Sequence, residues 1–161
     1  MFWMNRFILA LGVSLFALTL TTTAHADNAK TSESAKSATV KVILQGSDQM
    51  KFDKTEIKVA KGSTVELTLK HSGKLPVNIM GHNFVLLKAG VDVAKFSSAS
   101  MQAKDNNYIP KGSKDVIANT GLVGGGESTT ITFKAPEPGT YDFICSFPGH
   151  YAMMKGKFIV E

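Results

Sequence analysis

From Thr39 onward the apolar side chains fall at every second position: Val40, Val42 and Leu44; Ile57 and Val59; Val65, Leu67 and Leu69; Ile131 and Phe133; Tyr141, Phe143 and Cys145; Phe158 and Val160. Successive side chains of an extended chain point to opposite faces, so this alternation marks strands with one face buried. A helix would scatter the same residues around its axis. Between the runs lie LQGSDQ, AKGS, HSGKLP, TGLVGGGES and APEPGT, where Gly and Pro interrupt ladder pairing. Short strands separated by such turns predict an all-β antiparallel sandwich or barrel.

One segment breaks the alternation. GVDVAKFSSASMQAKDNNYIPKG is rich in Ala and Ser and predicts a short helix or flap over one edge of the sandwich, with Val91, Phe96 and Met101 facing inward.

The N-terminus is of another kind. Arg6 is followed by an apolar run from Phe7 to Leu20 and then by Ala24-His25-Ala26, the pattern of a secretory signal peptide with an A-x-A cleavage site. The run falls short of the roughly 20 residues needed to span a bilayer. Residues 1–26 are therefore read as a cleaved signal, which removes Trp3, the only tryptophan. No cysteine stands at the cleavage site for acylation. Residues 27–38, with no aromatic or branched apolar side chain that could offset ordering entropy, predict a flexible spacer. The domain then spans 39–161.

Without Arg6 the 18 basic residues become 17, against 13 acidic ones, a net charge of +4. The lysines are scattered, which excludes the clustered basic stripe of a nucleic-acid binder.

Exported chains normally use cysteines in pairs. This one has a single Cys145, followed by His150 and Met154 in CSFPGHYAMM. A buried structural thiol is the ordinary reading of an isolated cysteine, but the alternation points Cys145 into the core at the end of its strand. Pro148-Gly149 turns the chain, and KGKFIVE supplies the next strand. Cys145, His150 and Met154 can thus converge at one end of the sandwich. A fourth donor must come from elsewhere, and the candidates are His71, in a turn, and His82, which is flanked by apolar residues and preceded by Gly81. Two imidazoles, one thiolate and a weak thioether are the set used by blue-copper electron-transfer sites.

The segments MGHNF and CSFPGHYAMMKG resemble those of the azurins, small periplasmic members of the cupredoxin family. The likeness extends through LQGSDQMKF, LPVNIMGHNFVL and GGGESTTITF, and the Cys-x4-His-x3-Met loop has the azurin spacing. It implies a Greek-key β-sandwich or barrel of about eight strands with a short helical flap. It implies further that His82, Cys145 and His150 hold one type 1 copper in a plane, with Met154 axial and the Gly81 carbonyl a weak contact opposite. The backbone N–H groups of Asn83 and Phe147 would donate to the thiolate, and the Asn83 side chain would tie the two ligand segments together. His71 would be a partly buried histidine able to titrate, and Met153 would pack at the surface.

The function implied is a monomeric, non-enzymatic periplasmic shuttle of single electrons. Its redox partners would be a c-type cytochrome and a nitrite reductase or peroxidase. They would dock transiently on an apolar rim of Leu75, Pro76, Val77, Phe147, Pro148 and Tyr151 around His150. The alternatives are a copper carrier or storage protein, a sandwich with an inert buried cysteine, and a Cys-His nucleophilic enzyme. Two azurin features are missing: Val40 and Ser63 stand where azurins have a disulfide, and Phe84 where many have tryptophan.

Overall fold

The computed structural model describes residues 38–161. The signal peptide and all but the last residue of the spacer lie outside the described residues. Among the described residues nine strands form two sheets. One has the order β2 (Lys51–Phe52), β1 (Thr39–Ser47), β4 (Thr64–His71), β7 (Ser128–Lys134). The other runs β3 (Glu56–Val59), β9 (Lys155–Val160), β8 (Gly139–Ile144), β5 (Val85–Leu87), β6 (Val116–Asn119). The sheets form a sandwich and do not close into a barrel.

The pairing corrects the expectation of a purely antiparallel arrangement. β1 pairs with β4 in parallel, with Thr39 opposite Thr64 and Gly46 opposite His71, and β3 pairs with β9 in parallel. Parallel neighbours need a crossover connection. Here the chain between β1 and β4 passes through β2, in the same sheet, and then β3, which belongs to the other sheet.

The alternation carries through to burial. Val65, Leu67 and Leu69 of β4 have no exposed surface, and Ile57, Val59, Phe143 and Phe158 join them in the inter-sheet core. Phe84 packs there against Phe143, with ring centroids 5.5 Å apart. Strand β5 does not alternate: Val85, Leu86 and Leu87 are all fully buried. Leu86 faces the inter-sheet core, whereas Val85 and Leu87 belong to a second cluster with Phe96, Ile109 and Ile144.

That second cluster lies beneath α2 (Val93–Ser100), the helix anticipated in the flap. Asp92 caps it, its Oδ1 accepting from the N–H groups of Ala94 and Lys95 at 3.1 Å each. Phe96 is buried and Val91 packs beside it. Met101 does not face inward; it is 51% exposed. Five residues separate it from Phe96, about 500° of helical turn, which brings it to the far side. A one-turn helix, α1 (Val77–Met80), was not anticipated; Pro76, with extended backbone, stands at its N-cap. Among the described residues no helix is long and apolar enough to cross a membrane.

Candidate metal centre

The site is assembled from the ends of two neighbouring strands. Val85 of β5 lies opposite Ile144 of β8 in an antiparallel pair, so the residues just before β5 and just after β8 share one end of the sheet. His82 precedes β5 and is held by a two-hydrogen-bond bridge to Val123 at 3.0 and 2.9 Å. Cys145 follows the last residue of β8, its N–H donating to the Met154 carbonyl at 2.9 Å. That bond joins the two ends of the ligand loop. Within it, His150 N–H donates to the Phe147 carbonyl, and the Met153 and Met154 N–H groups both donate to the His150 carbonyl. Gly149, at φ +83°, supplies the left-handed residue of the turn.

The donor atoms converge. Cys145 Sγ lies 3.6 Å from His150 Nδ1 and 3.9 Å from His82 Nδ1, and all three atoms lie within 4.8 Å of one another. Three donors arranged trigonally about 2.1 Å from a common centre, a usual metal–ligand length, would be about 3.6 Å apart. The spacing therefore fits one ion. The Gly81 carbonyl oxygen is 3.9 Å from Sγ. His82, Cys145 and Met154 are fully buried and His150 is 3% exposed.

The orientation of His82 is set by a group that no sequence pattern indicated. Its Nε2 lies 3.0 Å from the Ser47 carbonyl oxygen, which makes Nε2 the donor and leaves the Nδ1 lone pair facing Cys145. Next to it, Gly46 is obligatory: a Cβ there would lie 2.6 Å from the His82 ring and 3.3 Å from the Met154 methyl group. The detectable signal was a glycine inside an otherwise regular strand. Likewise a Cβ on Gly81 would lie 2.5 Å from the Val77 carbonyl and 3.1 Å from the Phe147 ring.

His71 is not brought into the donor set. It ends β4, 2% exposed, and its ring stacks on His82 at 4.4 Å with a 12° interplanar angle. Its Nδ1 accepts from the Gly73 N–H at 3.0 Å, so its Nε2 donates to the Met80 carbonyl at 2.9 Å. Asn83 joins the two ligand segments: its Oδ1 accepts from Ser146 N–H at 2.8 Å and its Nδ2 donates to Ser146 Oγ at 2.9 Å.

Burial pushes the Cys145 thiol up to about 12, against a smaller opposing effect of the Asn83 and Phe147 N–H groups that donate to it. Burial likewise pulls His150 down to about 4 and lowers His82. At neutral pH both imidazoles are uncharged and have a free lone pair, while the thiol holds its proton unless a cation compensates the thiolate. That is the donor chemistry of a soft-metal site.

The anticipated rim is only partly present. Leu75 and Val77 are 37% and 39% exposed, and Ile79, which was not foreseen, is 57% exposed. Phe147 is buried, and Tyr151 packs against the second core cluster. Met153 is 58% exposed.

A two-sheet sandwich that buries two histidines, a cysteine and a methionine at one end defines a cupredoxin, the fold class of the blue copper proteins. The profile of the copper binding proteins of the plastocyanin/azurin family matches residues 38–161, and the chain belongs to that family. It is 45% identical over 119 residues to azurin of Bordetella pertussis, covering 71% of this chain and 79% of that one. To azurin of Pseudomonas fluorescens biotype C it is 44% identical over 124 residues, covering 74% and 96%. Among solved structures it is similar to auracyanin A, a "blue" copper protein from Chloroflexus aurantiacus, with a TM-score of 0.71 and 35% identity over 77% of this chain and all of the other.

Proposed function

We propose that this blue copper protein shuttles single electrons in the periplasm, and that His82, Cys145, His150 and Met154 would hold the copper, with the Gly81 carbonyl as a further weak contact. The observation that carries the reading is the approach of one buried sulfur to two imidazole nitrogens, 3.6 and 3.9 Å away, in a pocket closed to water. Copper bound there would supply a one-electron couple between Cu(II) and Cu(I).

The protein's own part is to hold the donors still. Ser47 orients His82, Asn83 ties the His82 segment to the Cys145 loop, and the Cys145–Met154 hydrogen bond closes that loop. Donors held this way have little freedom to rearrange when charge arrives. The Asn83 and Phe147 N–H groups stabilise the thiolate. Four side-chain donors leave no open position for a substrate, unlike a catalytic metal site, so the chain is read as a carrier and not an enzyme. The same closure weighs against a copper carrier or storage protein, which must exchange its ion.

His150, the donor with some surface exposed, is the exit for the electron. The exposed Leu75, Val77 and Ile79 form a small apolar surface suited to brief docking. Redox proteins are the partner class, with a c-type cytochrome and a nitrite reductase or peroxidase as the specific candidates, met by a monomer whose signal has been cleaved after Ala26.

Purified protein loaded with Cu(II) tests the reading. An intense blue band with narrow copper hyperfine splitting and reversible one-electron reduction, all lost in Cys145→Ser, is the expected result. A colourless Cu(II) adduct overturns it.

A further inference from the structure

Two consecutive non-glycine residues in the flap, Asn107 and Tyr108, have φ of 52° and 57°. Left-handed backbone at a bulky aromatic residue is an outlier that persists only where its surroundings hold it. Here they do. The Asn107 carbonyl accepts from Asn83 Nδ2 at 2.9 Å, the same amide nitrogen that donates to Ser146 in the loop. Tyr108 N–H donates to the Ala103 carbonyl at 2.9 Å. The strained corner is thus strapped to Asn83, the residue that ties the His82 segment to the Cys145 loop.

The strain has a structural result: it lays Tyr108 edge-on against Phe147, with ring centroids 5.1 Å apart and planes at 68°. Phe147 in turn lies 4.7 Å from the His150 ring and is backed by Gly81, where a Cβ would come within 3.1 Å of it. Phe147 is therefore confined between the flap, the Gly81 backbone and His150. No hydrogen bond to the His150 ring from any described residue other than Cys145 fixes its plane, in contrast to His82 and its Ser47 carbonyl.

We propose that Tyr108 is a positioning residue for the metal centre: the left-handed Asn107–Tyr108 corner presses its ring on Phe147, and Phe147 holds the His150 imidazole in the plane that faces Cys145. The inference rests on the reading of His150 as a metal ligand. It gives the flap a task at the site and explains why a half-buried tyrosine occupies a backbone conformation that glycine or asparagine would adopt more easily.

The test compares Tyr108→Phe, which keeps the ring, with Tyr108→Leu and Tyr108→Met, which remove it. Nitrogen-15 imidazole spectra of His150 in the metal-free protein and the rate of copper loss to a chelator are read for each, with melting temperature as the control on folding. The ring-retaining variant should match the parent in both. The two ringless variants should show broadened or doubled His150 ring signals and copper loss faster by about two- to tenfold, the factor associated with an edge-on aromatic pair. Unchanged His150 signals and release rates in folded Tyr108→Leu or Tyr108→Met overturn the proposal, as does a Tyr108→Phe variant as perturbed as they are. If the parent protein gives no blue copper adduct, the functional reading fails, yet the metal-free imidazole spectra still decide whether Tyr108 orders His150.

Discussion

His82 Nε2 lies 3.0 Å from the carbonyl oxygen of Ser47, a residue 35 positions earlier in the chain. A backbone group on β1 thus aims an imidazole that sits just before β5 in the opposite sheet. The contact exists because Gly46 leaves room for the ring.

Gly46→Ala is predicted to displace His82, since its methyl group would lie 2.6 Å from ring carbon Cδ2. Disturbing a group that orients a metal ligand commonly costs about 10- to 100-fold in affinity. Competition with a copper chelator should show a loss of that order, while circular dichroism retains the β spectrum.

Asn83→Ala removes the bonds to Ser146 and to the Asn107 carbonyl and leaves buried Ser146 N–H without its partner. An orphaned buried donor costs about 1–3 kcal/mol. The metal-free variant should melt several degrees lower, as read by calorimetry.

Met154→Ala is predicted to keep copper and raise its reduction potential, because on the proposed reading it removes only a weak thioether donor and leaves His82, Cys145 and His150 in place. Voltammetry checks the sign. Complete loss of metal would give Met154 a larger part than the axial position assigns.

The metal-free protein should be most stable between about pH 6.5 and 9. The His150 pKa falls from 6.5 to about 4 on folding, so as the pH drops below 6.5 the unfolded chain takes up a proton that the folded one refuses, and stability declines. The Cys145 pKa rises from 9.0 to about 12, so above pH 9 the unfolded chain loses a proton that the folded one keeps, and stability declines again. Urea unfolding across pH should show both shoulders. The same protonation states mean that copper uptake at pH 7 in a weak buffer should release about one proton per ion, from the thiol and not from the imidazoles.

Much of this was legible in the sequence for a definite reason. Alternation placed Val65, Leu67, Leu69, Phe143 and Phe158 on the core face, since a half-buried strand leaves the chain no other arrangement. The donor types and loop spacing singled out Cys145, His150 and Met154. What escaped depends on contacts between distant segments. The residues alone left His71 and His82 both open, and the resemblance chose His82; what it could not show is that the two rings are buried and stacked, with the bridge to Val123 and the Ser47 carbonyl holding His82 toward the sulfur. Strand β5 is buried on both faces, so it shows no period of two. The Ser47 contact is invisible because a carbonyl oxygen is common to every residue, and α1 is too short for a period. Met101 was misplaced because the inward face of α2 turns away before the chain reaches it.

The most direct measurement is X-ray absorption at the copper edge of the loaded protein. One short sulfur neighbour and two imidazole nitrogens around a single ion, with the sulfur lost in Cys145→Ser and one nitrogen lost in His82→Ala, is the predicted result. A first shell of nitrogen and oxygen without a short sulfur, or a shell unchanged by His82→Ala, would contradict it.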